Sequence, residues 1–133
     1  MNNVRPLNAF TLPELLLTAA ILSYSLSVVL VTFVNSIALN EASRNLTTAV
    51  SHANYVLENI RNTTFASIAT NVSSGTWDWN ASTITSQGLT ALNNESTAVT
   101  SSGTNPLDVT VAVSWNDLNG RNRSRVVKTS ISG

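Results

Sequence analysis

From Leu15 to Asn40 the chain carries no formally charged side chain, and a single carboxylate, Glu14, stands immediately before that run. About 26 helical residues rise roughly 39 Å, more than the ~30 Å of a bilayer's hydrocarbon core, so the stretch reads as a membrane-spanning helix. The acid is the feature that needs a reason. A carboxylate at the membrane centre costs about 2.5–3.5 kcal/mol on insertion scales, so one held at the edge of a span is expected to meet an opposite charge. Pro13 is tolerated beside it, because the first amides of a helix have no intrahelical acceptor.

The segment Ala9-Phe10-Thr11-Leu12-Pro13-Glu14-Leu15-Leu16, set before an apolar helix, resembles the prepilin signal of the type IV pilin and pseudopilin family. The resemblance implies a leader peptide over residues 1–9, with Arg5 as its only charged side chain. It implies that a membrane-embedded prepilin peptidase cuts between Ala9 and Phe10 and methylates the new Phe10 amine. Phe10, Thr11 and Glu14 would then serve filament assembly. The further partners it implies are other pilin or pseudopilin subunits in a helical filament, an inner-membrane assembly platform and, before assembly, membrane lipid. The implied location is a single-pass inner-membrane protein with its domain outside the cytoplasm, and afterwards a periplasmic or cell-surface filament. Ala9 stands where the family usually has Gly, and Pro13 where a branched aliphatic residue is commoner. The chain also has no Cys, whereas many bacterial type IV pilins close a C-terminal loop with a disulfide. A conventional secretory signal fits poorly, since the apolar run is too long and no small-residue cleavage site follows it.

With 133 residues the chain supports an anchor and one domain. Its formal net charge is zero and only 11% of residues are charged, which argues against bulk attraction to nucleic acid. The lack of Cys excludes thiolate chemistry and disulfide staples. His52, the only histidine, is assigned to the polar face of a helix as a solvated residue, and no nucleophile motif surrounds any Ser or Thr. Asp78, Asp108 and Asp117 match no calcium-loop spacing. The expectation is a non-enzyme without cofactor or metal.

The fold class expected is α+β: one long N-terminal helix packed on a small antiparallel sheet. Residues 10–40 form the hydrophobic assembly helix and residues 41–133 a pilin-like globular domain. Ser23, Ser25, Ser27 and Thr32 interrupt the span; small hydroxylated residues permit close helix approach, or return their hydroxyls to the preceding turn. Beyond Asn40, Ala42, Leu46, Ala49, Val50, Ala53, Val56, Leu57 and Ile60 recur at three- and four-residue steps, the mark of one buried helical face. Asn45, Thr48, His52, Tyr55 and Asn59 fall opposite. No Gly or Pro breaks the join, so one helix is expected from Leu12 to Arg61.

Residues 62–88 read as an irregular connection, with Trp77 and Trp79 sharing one sheet face and Asp78 turned away. Short strands are expected at Leu89–Leu92 and Ala98–Thr100. Val109, Val111, Val113 and Trp115 alternate strictly, a turn follows over 116–120, and Arg121–Ile131 returns as a second strand, making a hairpin. Trp77 and Trp79 are preferred as core anchors over a carbohydrate-stacking surface. Arg121, Arg123 and Arg125 could share a face, with Lys128 nearby. Charge protecting an edge strand from aggregation is preferred there over a phosphate-tracking patch. The function expected is a structural subunit of a type IV pilus or type II secretion pseudopilus. The alternative is a membrane-anchored binding module, an adhesin or DNA-uptake receptor using the Trp pair or the Arg strand.

Overall fold

A computed structural model describes residues 11–133. The order of elements is α1 (Leu12–Arg61), α2 (Phe65–Ser73), α3 (Ala81–Ser86), β1 (Ser96–Ser102), β2 (Leu107–Asn116) and β3 (Asn122–Ile131). This is an α+β arrangement, with the second half of α1 packed against a three-stranded antiparallel sheet of order β1-β2-β3. The chain divides into two compact units between Leu39 and Asn40.

The first unit is the apolar half of α1. Every described residue up to Asn40 is exposed, and the helix is long and apolar enough to cross a membrane. Its Ser and Thr hydroxyls do not face outward unpaired. Ser23, Ser25, Ser27 and Thr32 donate to the carbonyls of Ala19, Ile21, Ser23 and Val28 at 2.8–2.9 Å. Such back-bonding satisfies a polar group inside its own helix, which lipid demands because it offers no partner.

The second unit holds the core. Ala53, Val56, Leu57 and Ile60 of α1 join Val109, Val111, Val113 and Trp115 of β2 in one buried cluster. The strict alternation of β2 thus delivers its four large side chains to one face, as the pattern requires. Asp117–Gly120 reverses the chain; Asp117 N–H donates to the Arg121 carbonyl at 2.9 Å, and Gly120 supplies a φ of 73°.

The helix face differs from the expected one over its first two turns. Ala42 and Leu46 are exposed and Val50 is only half-buried, whereas His52 is buried and Asn45 and Thr48 are half-buried. Two stripes could continue the Ile60–Val56–Ala53–Ala49 seam by steps of three or four residues, and periodicity alone cannot choose between them. Tyr55 is exposed as expected, although its ring centroid lies 6.0 Å from that of Trp79.

The connection after α1 is not irregular: α2 and α3 occupy it. Phe65, Ile68 and Val72 of α2 lie at helical spacing, with Ile68 and Val72 buried. In α3, the Asn80 side chain accepts from Thr83 N–H at 2.9 Å and caps the helix, and Ile84 is fully buried. The expected strand at Leu89–Leu92 is absent; those residues lead into β1, which contains the expected Ala98–Thr100.

Trp77 and Trp79 lie on no sheet strand. Their segment runs along the outer edge of β1, where Thr97 N–H donates to the Trp79 carbonyl at 2.7 Å. Asp78 is not turned away: its carboxylate accepts from Val99 N–H at 2.8 Å. The β1 edge is therefore closed by side-chain and backbone bonds together.

Candidate functional site

Glu14 occupies the third position of α1, and Thr11 stands just before its first residue. The spacing Thr11-Leu12-Pro13-Glu14 is that of a capping box, in which the acid reaches back to the cap residue's amide. One Glu14 carboxylate oxygen accepts from both the Thr11 N–H and the Thr11 hydroxyl at 3.4 Å, long distances for such bonds. Glu14 N–H donates to the Thr11 carbonyl at 3.1 Å. The positive end of the helix dipole and these donors hold the carboxylate loosely at the helix start. Thr11 and Glu14, expected in assembly, thus also form a helix cap whose spacing is legible in the sequence. Ala9 and Phe10, the expected cleavage and methylation positions, lie outside the described residues.

Trp77 and Trp79 are buried in the core, and Trp79 Nε1–H donates to the Thr76 carbonyl at 3.2 Å. Their rings are used for packing and leave little face for a sugar. The three arginines are not equivalent. Arg121 and Arg123 both direct Nε to the same oxygen of Asp117, at 3.0 and 3.2 Å. The other oxygen accepts the Arg121 and Asn119 backbone N–H groups at 2.9 and 3.0 Å. Arg125 lies opposite Val113, on the core-facing side of the sheet, yet is exposed.

These bonds hold the Asp117 carboxyl below its ordinary value. The Arg121 backbone N–H contributes most; desolvation opposes it, and the Arg123 and Arg121 side chains each add a smaller lowering. Because the folded-state value is depressed, Asp117 lends stability above the unfolded carboxyl value, and that contribution is lost as pH falls through the folded one. A carboxyl-detected NMR titration should therefore place Asp117 below an unperturbed aspartate. Arg121→Ala should raise its midpoint only in part, because the backbone donor survives the substitution.

The most enclosed polar group lies elsewhere. His52 Nδ1 is 2.7 Å from one Glu95 oxygen, and Leu92 N–H donates to the other at 2.6 Å. The Glu95 side chain has no exposed surface and that of His52 is 6% exposed. His52 is thus no solvated residue, contrary to the sequence reading. The pair ties α1 to the loop before β1. A readable signal was Glu95 itself, a lone acid in a segment of Asn, Ser and Thr.

Near this pair, a cleft of about 430 Å³ is lined by Glu41, Asn45, Thr48, Asn93, Asn116 and Leu118, among others. It holds no nucleophile beside a base. Among the described residues no three His, Asp or Glu side chains are placed to share a metal ion. No protein-family model, curated protein or solved structure matches this chain.

Proposed function

We propose that the chain is a structural subunit of a pilus-type filament, a type IV pilus or a secretion pseudopilus, which polymerises through the apolar half of α1 after removal of a short leader. The observation that carries this reading is the lone Glu14 at the front of the first half of α1, which is wholly exposed and otherwise uncharged up to Asn40. Cleavage before Phe10 by a prepilin peptidase would create an amine at the start of the span. An incoming subunit could then bring that amine to Glu14 of a subunit already in place. At 4 Å, opposite unit charges attract by about 4 kcal/mol with an effective dielectric near 20. The weak grip of Thr11 on the carboxylate suits a group whose stronger partner arrives from another chain.

Membrane insertion before assembly, and a filament location after it, follow from the same reading. The binding-module alternative is less favoured, because the Trp rings are in the core and two of the three arginines are engaged by Asp117. Expression of Glu14→Ala beside the wild-type chain, in cells carrying the assembly machinery, tests the proposal. The variant should insert into the membrane and lose its leader, with Phe10 as the first residue by mass spectrometry. Its share of the sheared filament should fall about tenfold or more, which corresponds to losing only about 1.4 kcal/mol of the available attraction. Incorporation of Glu14→Ala at the wild-type level would overturn the assembly role, and recovery of intact Met1 would overturn the processing.

A further inference from the structure

The sheet has two edges, and only one is closed. On β1 the outward amides of Thr97 and Val99 are bonded to the Trp79 carbonyl and the Asp78 carboxylate. β3 has no such cover among the described residues. Strand neighbours point their backbone groups to opposite sides. Asp117 pairs with Arg121 through its N–H, so Arg123, Arg125, Val127 and Thr129 turn their amides to β2. Asn122, Ser124, Val126, Lys128 and Ser130 then present unpaired N–H and C=O groups outward over a ten-residue strand. No Pro or Gly interrupts it.

Its charge selects the occupant. β3 carries Arg123, Arg125 and Lys128 and no acid. Among the described residues Arg125 and Lys128 have no ion-pair partner. Arg123 and Arg125 lie on one face, Lys128 and the exposed Val126 on the other. A second copy of β3 would bring its own positive charges to the same edge, and the β1 edge of a second copy is already closed. The chain's seven acids are scattered, with no two at alternate positions, so no segment of this sequence is complementary to the edge.

We propose that the β3 edge is a docking site for an extended segment of a different protein. The segment pairs with β3 as a fourth strand and carries acidic side chains at alternate positions and an apolar one opposite Val126. Backbone pairing supplies the affinity of such strand addition, and the side-chain pattern its selectivity. The site lies in the globular unit and holds whether or not the chain enters a filament.

The test uses the full chain, isotope-labelled in detergent micelles, and a blocked peptide of sequence Thr-Glu-Thr-Val-Glu-Thr-Glu-Thr. Antiparallel pairing puts its acids opposite Lys128, Arg125 and Arg123, and its Val opposite Val126. Amide exchange at Asn122, Ser124, Val126 and Lys128 should slow, with no change at Arg123, Arg125 and Val127. The same peptide with Lys in place of Glu should leave all of them unchanged. Arg125→Glu combined with Lys128→Glu alters two exposed positions and should weaken the acidic peptide about tenfold while admitting the basic one. Two results would overturn the proposal: no alternating protection at millimolar acidic peptide, or the same protection rising with protein concentration alone, which would make a second copy the occupant.

Discussion

Leu57→Asp should abolish the cooperative unfolding transition of the globular unit. Leu57 is 4% exposed and shares the core with Val56, Ile60 and the inward residues of β2. Removing a buried leucine side chain costs about 2–5 kcal/mol through lost transfer energy and the cavity left behind. An unpaired carboxylate adds several kcal/mol more in an apolar site. A unit of this size has a stability of about 5–10 kcal/mol, so the sum removes most or all of it. All three Trp residues lie in this unit and are buried, so emission shifted toward the solvent value before heating would report the loss. Leu46→Asp is the informative companion. The periodicity puts Leu46 on the same stripe as Leu57, but the structure leaves it 43% exposed. Its substitution should cost less than about 1 kcal/mol, as surface changes do. An unfolded Leu46→Asp beside a folded Leu57→Asp would mean that the helix presents another face to the sheet.

The contrast between these two leucines explains what the sequence revealed and what it did not. The long helix was readable because no Gly or Pro occurs between Glu14 and Arg61, and Pro13 falls in the first turn, where it is tolerated. The hairpin was readable because Val109, Val111, Val113 and Trp115 alternate without exception, and a one-residue slip would turn all of them to solvent. α2 and α3 were missed because they are short and rich in Ser, Thr and Asn, residues whose side chains compete for backbone groups and favour turns. Their apolar positions become helical only when a core is present to receive Ile68, Val72 and Ile84. The candidate site divides the same way. Thr11 and Glu14 are three apart on one helix, so local spacing carries their relation. His52 and Glu95 are 43 positions apart, and no local pattern links them. Their pairing depends on where the loop before β1 passes α1, which is a property of the assembled fold.

That pairing should have the second-largest effect on stability. In Glu95→Ala, the His52 ring and the Leu92 amide lose their acceptor in a site almost closed to water. Leaving a buried donor without its acceptor typically costs about 1–3 kcal/mol per group, and Glu95→Ala strands two such groups. Chemical denaturation of Glu95→Ala should therefore show a midpoint far below wild type with an unchanged slope, since the surface exposed on unfolding is nearly the same. His52→Ala should fall in the same direction, and the double variant should lose less than the sum of the two. The coupling expected for groups in direct contact is about 0.5–3 kcal/mol. Replacing both by leucine separates two roles of the pair. Two apolar side chains of similar volume can match a buried hydrogen-bonded pair in stability, because they leave no polar group without a partner. A His52→Leu, Glu95→Leu double variant should thus regain most of the stability that Glu95→Ala loses. What it cannot regain is the reason for α1 to turn His52 inward rather than the neighbouring stripe of Ala42, Leu46 and Val50. With leucine at position 52, no polar contact favours one stripe over the other, and the helix has less to choose between. Greater amide exchange in residues 41–52 of the double-leucine variant, at near wild-type stability, would identify the pair as the element that sets the helix face. Equal protection in the two proteins would instead assign that role to the core residues from Ala53 to Ile60 alone.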